Sequence, residues 1–386
     1  MSLFAGGAEP DRGPGEHRTD LYSAPVDLRS HFPVLERLSY LNAGSVGPVP
    51  REAAEAARRE LADQLEHGRG GKASFEHASD LAERLRSRVA AIMNADAGEI
   101  ALTGATTDGV NAVLAGLDLG PGDEVLTTDE EHPGLLAPLG LARKRRGIEV
   151  RVVPFAEVGA SAGPQTKLIA CSHVSWLNGR VVDSAALGDC GVPVLLDGAQ
   201  GIGAVTVDVR ELGCDFYAGS GQKWLCGPIG SGYLYVRGDR IESLHPAAPG
   251  YGSLSDPLRA LELPLRDGAA RFDGGFPVTH HSAWALASLD VIEAPGLDAV
   301  VGRAAALAER LTQGLAENGL IVAPRGRSTL VSWEARDPEA AVKSLLERGF
   351  GVRNLPGTSY VRASTGAWCT EEELDRLAEI APDCSA

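Results

Sequence analysis

Residues 192–200 read VPVLLDGAQ, an unbroken apolar run that stops abruptly at Asp197 and is followed closely by Gln200. A run this short and this uniformly apolar predicts a strand buried on both faces, the kind found in parallel sheets covered by helices. The flanking sequence repeats the pattern. EIALTG (99–104), DEVLTT (123–128), IEVRVVPF (148–155), TKLIACSHV (166–174) and GYLYVR (232–237) are further candidate strands. Helix-like stretches such as TTDGVNAVLAGL (106–117) and HPGLLAPLGLARKR (132–145) lie between them. Alternation of this kind predicts an α/β fold with a mostly parallel sheet.

Outside that block the organisation changes. The first residues, MSLFAGGAEPDRGPGEHRTD, are rich in Gly, Pro and charge and contain no apolar signal core, so residues 1–27 are expected to form a disordered tail. Residues 238–290 are Pro- and Gly-rich and are expected to be irregular. A second unit is expected from about 290 to 386. It opens with the helix-like DAVVGRAAALAERLTQGLAENG and continues through the strand-like LIVAP and TLVSWEA. DPEAAVKSLLERG follows, with Asp337 at an N-cap and Pro338 at the first helical position, and TEEE sets Thr370 and Glu373 at capping-box spacing. The expected division is therefore a tail (1–27), an N-terminal segment (28–50), a large domain (51–289) and a small α+β domain (290–386).

Composition narrows the function classes. The chain has 386 residues, with 36 Lys plus Arg against 52 Asp plus Glu, a formal net charge of −16. That balance argues against nonspecific nucleic-acid binding and against attraction to anionic membranes. No apolar run is long enough to predict a membrane-spanning helix. The six cysteines (Cys171, Cys190, Cys214, Cys226, Cys369, Cys384) form no CxxC pair, which suggests neither a metal site nor a disulfide framework and fits a reducing cytoplasm.

Ligands of open parallel sheets bind beyond the carboxyl ends of the strands, so polar residues at those ends are the candidates. Asp197 is one, although a carboxylate there also suits an N-cap. TGATTDG places Ala105, Thr106 and Thr107 at a strand-to-helix turn, where helix N–H groups and hydroxyls could hold an anion. His132 follows a strand in DEEHPG. In YAGSGQKWLCGPIGSGYLYVR (217–237), Lys223 is the one charged side chain before Arg237, beside Ser220 and Gln222. Desolvation there would make its amine nucleophilic. Together these are the parts required by pyridoxal phosphate (PLP). Its aldehyde takes a lysine as a Schiff base, its pyridine nitrogen needs a carboxylate, its phosphate a helix N-terminus, and its ring a flat neighbour.

At this point the chain, from about residue 28 to 382, resembles the class V aminotransferase group of fold-type-I PLP enzymes. That group includes cysteine desulfurases, selenocysteine lyases and isopenicillin-N-epimerase-like proteins. TGATTDG resembles its phosphate turn, DEEHPG its ring-stacking histidine motif and LLDGAQ its Asp and Gln pair. SGQK resembles its Schiff-base motif, with Gln222 where many desulfurases carry histidine. YLNAGSVGPVP resembles the substrate-side segment and brings in Asn42. YVRAS resembles the segment whose arginine holds the substrate α-carboxylate, which points to Arg362 over its competitors Arg353 and Arg271. Trp176, in SHVSWLNG, stands near where desulfurases often have asparagine. RFDGGFP (271–277) resembles a segment that reaches the neighbouring subunit, with Phe276 in place of threonine.

The resemblance implies a PLP enzyme acting on an L-amino acid, and a homodimer with shared active sites. A desulfurase needs a cysteine on a mobile loop before the arginine segment, and here that connection is NLPGTSY (354–360), without cysteine. The expected reaction is therefore cleavage of a bond at Cβ, of C–S type, without a persulfide cysteine. Transamination or epimerisation is the alternative, and a non-catalytic binding protein of the same fold is a third reading. A nucleotide-binding protein is disfavoured, because GLDLGPGDE lies between a helix and a strand rather than after the first strand.

Overall fold

The computed structural model describes residues 27–385; the expected tail lies almost wholly outside them. The chain enters through strand β1 (Ser39–Tyr40) and helices α1 (Arg51–His67) and α2 (Lys72–Ile92), neither of which the sequence reading anticipates. The central sheet then builds up from β2 (Ile100–Thr103), β3 (Glu124–Thr128), β4 (Glu149–Val153), β5 (Thr166–Ser172), β6 (Val194–Gly198), β7 (Phe216–Ser220) and β8 (Gly232–Val236). Its spatial order is β2-β8-β7-β6-β5-β3-β4, and β8 alone runs antiparallel to its two neighbours. Helices α3 (Thr106–Gly116), α4 (Pro133–Arg146) and the short α5 (Ser184–Gly188) connect strands.

Each predicted strand of this block is present, and the sheet gains one that the sequence reading omits. β7, FYAGS, contains no Val, Ile or Leu, unlike its neighbours VLLDG and GYLYV, yet all five of its residues are buried. The sheet is buried on both faces, which is what the apolar runs require. One face packs around Val110, Val113, Leu135 and Leu139 of α3 and α4, and the other around Leu81, Leu85 and Val89 of α2 with Leu286 and Leu289. The last two belong to α6 (Thr279–Glu293), which corrects the expectation that residues 238–290 are irregular throughout. This helix buries Ser282 and Ser288 among Leu286, Leu289, Val291 and Ile292 and faces two core clusters, so it shows no sharp apolar stripe.

After α6 come α7 (Leu297–Glu317), β9 (Leu330–Glu334), α8 (Pro338–Glu347), β10 (Phe350–Gly351), β11 (Arg353–Asn354), β12 (Tyr360–Ser364) and α9 (Glu371–Ser385). LIVAP is not a strand, for only Val322 bridges to Trp333. The expected caps form. Asp337 accepts from Ala340 N–H at 3.0 Å, and Thr370 and Glu373 exchange bonds at 3.0 and 3.2 Å. The sheet β11-β12-β9 is antiparallel, and β1 pairs with β10 in parallel. Leu28, Phe32 and Leu41 are buried in the same cluster as Leu311, Trp333 and Leu377, so the N-terminal segment packs with the C-terminal elements. Among the described residues no helix is long and apolar enough to cross a membrane.

Candidate active site

The carboxyl ends of the central strands converge. β6 ends at Asp197 and Gly198, β7 at Ser220 three residues before Lys223, and β3 leads through Glu130 and Glu131 to His132 at the N-cap of α4. β2 leads to Ala105, the N-cap of α3. These ends face a cavity of about 240 Å³. Ala105, Thr106, Thr107, His132, Asp197 and Gln200 line it from the central sheet, with Ser220, Gln222 and Lys223. Trp176, from the turn after β5, and Arg362 complete the wall, together with Arg353, Gly44 and Ser45.

Asn42 alone among the candidate site residues does not line this cavity. Its Oδ1 accepts from Ser45 Oγ at 2.6 Å, and Ser45 in turn accepts from Arg353 Nη1 at 3.0 Å, so Asn42 stands behind the wall. Arg271 is also elsewhere, bonded to Glu242 at 2.6 Å and to the carbonyl of Arg266. Ser45 was missed because serine in a turn carries no signal of its own. Arg353 lines the cavity beside Arg362 rather than in place of it.

Close main-chain approaches shape the wall. A Cβ on Gly44 would come within 3.0 Å of Arg362 Nη2, and one on Gly47 within 2.0 Å of the Lys223 carbonyl. Glycine at these two positions lets the N-terminal segment lie directly on the Lys223 loop, where Gly47 N–H donates to Gln222 O at 2.8 Å. Gln200 is pinned between segments, donating to Gly44 O at 2.7 Å and accepting from Trp224 Nε1 at 3.0 Å.

The electrostatics follow from loss of water. Desolvation lowers the Lys223 ammonium to about 8, with Arg362 and Arg353 adding to the fall and Asp197 opposing it. Burial raises Asp197, while the Ala199 N–H at 2.9 Å and the Lys223 charge pull it back. His132 is pushed down to about 4 by burial and by Lys223, Arg353 and Arg362, so its imidazole is neutral at pH 7. Its Nδ1 accepts from Gly134 N–H at 2.9 Å, which leaves the proton on Nε2. The ring lies 4.9 Å from that of Trp176, edge to face.

Several buried polar atoms here have no partner among the described residues: Ser220 Oγ, Gln222 Oε1, Trp176 Nε1, and both Nε and Nη2 of Arg362. Orphaned groups are costly unless a ligand satisfies them. The N-terminus of α3 points the same way, for Ala105 provides no side-chain cap and the Thr106 and Thr107 N–H groups have no intrahelical partner. Donors for an anionic group, a desolvated lysine and a buried carboxylate suit pyridoxal phosphate.

A family model described as "Aminotransferase class-V" matches residues 39–377. The chain is 30% identical over 400 residues to a cysteine desulfurase of Serratia proteamaculans, covering 92% of this chain and 97% of that one. It is 32% identical over 268 residues to a probable cysteine desulfurase of Methanothermobacter thermautotrophicus, covering 66% of each. Among solved structures, it is similar to a variant of C-DES with glycine covalently linked to its PLP cofactor, at a TM-score of 0.87 and 29% identity, covering 92% of this chain and 99% of that one. A complex between the cystine C–S lyase C-DES and its reaction product cysteine persulfide matches at a TM-score of 0.86 and 29% identity, covering 91% and 99%.

Proposed function

The chain belongs to the class V aminotransferase family of fold-type-I enzymes that carry pyridoxal phosphate, and from that premise we propose a C–S lyase that needs no persulfide cysteine. Its substrate would be a cysteine-derived amino acid, cleaved at Cβ. The observation that carries this reading is the absence of a thiol where the chemistry would need one. No cysteine lines the cavity among the described residues. The connection from β11 to β12 is only residues 355–359 and has none. Cys226, just beyond Lys223, is buried, and its thiol is pushed well up by that burial, so it is a poor sulfur acceptor. The C-DES complex, described as a cystine C–S lyase with cysteine persulfide, agrees with a reaction of this class.

When bound, the cofactor supplies an electron sink conjugated to the substrate's Cα. In this proposal Lys223 Nζ would hold the cofactor aldehyde and would serve as the base for the Cα proton. An amine lowered to about 8 is partly neutral near pH 7–8, which suits a base. Asp197 would hold a proton on the ring nitrogen. His132, neutral, would offer its flat face to the ring. Thr106, Thr107, Ser220 and Gln222 would hold the phosphate near the start of α3, and Gln200, fixed by Trp224 and Gly44, would contact the ring. Arg362 binds the α-carboxylate. With that electron sink in place, Lys223 would take the Cα proton, and departure of the Cβ–S electron pair with sulfur would give, after hydrolysis, pyruvate and ammonia.

We further propose a homodimer. Phe276 stacks on Tyr251 at 5.3 Å and lies 5.6 Å from Phe75, and all three rings are exposed. Leu258 and Leu261 nearby are exposed as well, an apolar surface that a second copy would cover.

The test is to supply cystine and S-substituted cysteines to the PLP-loaded protein and identify the carbon product. Pyruvate with equimolar ammonia supports the lyase. A keto acid that keeps the substrate side chain, or a D-amino acid, would replace it with transamination or epimerisation.

A further inference from the structure

The turn that carries Trp176 is gripped from two sides. Beyond β5 the chain folds back at Val174 and Val181, and Ser175 N–H donates to Arg180 O at 2.8 Å. Two successive carbonyls of this turn are taken by one rung of the C-terminal sheet, where Ser332 and Arg362 are cross-strand partners. Arg362 Nη1 donates to Trp176 O at 2.7 Å, and Ser332 Oγ donates to Leu177 O at 2.5 Å. From the opposite side Glu130, two residues before His132, accepts from Asn178 Nδ2 and Arg180 Nη1, both at 3.0 Å.

The consequence lies in the shape of a guanidinium. Its five N–H donors form a planar fork, and a carboxylate docks on two adjacent parallel donors. Arg362 is 1% exposed, its Nη1 is committed to Trp176 O, and its Nε and Nη2 have no partner among the described residues. The carbonyl therefore closes the Nη1–Nη2 end of the fork and leaves the Nε–Nη2 edge without a protein partner, on a residue that lines the cavity. The Trp176 indole also meets the His132 ring edge to face at 4.9 Å, but His132 is held separately, at the start of α4 by the Gly134 N–H.

We propose that the Ser175–Arg180 turn is a positioning device that fixes the Arg362 guanidinium with its Nε–Nη2 edge toward the substrate α-carboxylate, with Ser332 and Glu130 as its positioning residues. The inference rests on the reading of Arg362 as the carboxylate site. Loosening the turn lets the guanidinium rotate, which weakens carboxylate docking and leaves the chemistry at Lys223 untouched.

The experiment uses the PLP-loaded enzyme with Ser332→Ala, Glu130→Ala and, as a milder change at a part-exposed side chain, Arg180→Gln. The probe is propionate, which has the carboxylate but no amine and so reports docking alone as a competitive inhibitor. KM and the propionate inhibition constant are expected to rise together by roughly three- to tenfold, the effect of one lost buried hydrogen bond, with kcat and the visible cofactor spectrum unchanged. If Ser332→Ala or Glu130→Ala does not fold, Arg180→Gln carries the same comparison. Wild-type propionate inhibition in the folded turn variants, while Arg362→Lys loses it, overturns the positioning role alone. Retention of propionate binding in Arg362→Lys overturns the assignment of Arg362 itself.

Discussion

Asp197 and Lys223 reach the cavity from neighbouring parallel strands of one sheet, whereas Arg362 reaches it from a separate antiparallel sheet and leans on a turn from the first. The first half is set by short main-chain paths within a buried sheet. The second depends on side-chain bonds across two structural units, with Trp176 O, Ser332 and Glu130 as links. Residues of the sheet half should therefore decide whether the cofactor is held and active, and residues of the bridged half how well an amino acid docks.

The largest expected effect is in the sheet half. Lys223→Ala should abolish turnover and remove the absorbance of the lysine-bound cofactor, since no other amine lines the cavity. A band that survives dialysis in that variant would put the link elsewhere. Asp197→Asn comes next. It should keep the cofactor bound but lower kcat by orders of magnitude, because a neutral amide cannot stabilise a protonated ring nitrogen. Near-normal turnover would assign the carboxylate role to another group.

Across the divide the signature should change. Arg362→Lys keeps a positive charge but loses the two-pronged fork, so KM should rise roughly tenfold or more with the cofactor spectrum intact. A fall in cofactor affinity instead would erase the distinction between the halves.

The smallest effect is on the pH dependence of folding. His132 and His173 have values pushed down to about 4, so between about pH 4 and 6.5 the unfolded chain binds more protons and stability falls as pH falls. Glu131 opposes this. Burial raises it to about 7, against the pull of its hydrogen bonds with Ser172 and Thr128, so between about 4.5 and 7 its folded form binds more protons and gains as pH falls. Glu131→Gln should therefore steepen the loss of stability of the cofactor-free protein on acidification, measured as denaturation midpoint against pH. An unchanged slope would mean that Glu131 does not titrate there.

The same division explains what could be read from sequence. VPVLLDGAQ and SGQK sit on contiguous stretches whose apolar pattern fixes strand ends, so Asp197, Gln200, Ser220 and Lys223 were legible. β7 was not, because FYAGS has no alternating or β-branched signature and is a strand only through its neighbours. Helix α6 was hidden because serines interrupt its buried positions and leave no clear apolar stripe. Ser45 and the second arginine, Arg353, were beyond reach as a pair, since their contact joins residues 45 and 353, and nothing local marks a bond of that span. Asn42 was misplaced by one layer for the same reason. Its own turn is local, but which residue of the turn faces the cavity is decided by the distant Arg353.

The central claim is that C–S cleavage here needs no protein thiol. The direct measurement compares the wild type with a variant in which all six cysteines are replaced, each loaded with PLP and given cystine or cysteine. Equal rates of pyruvate and of sulfur product in the two proteins are the predicted result. A cysteine-free protein that folds and binds the cofactor, yet loses sulfur release seen in the wild type, would contradict it.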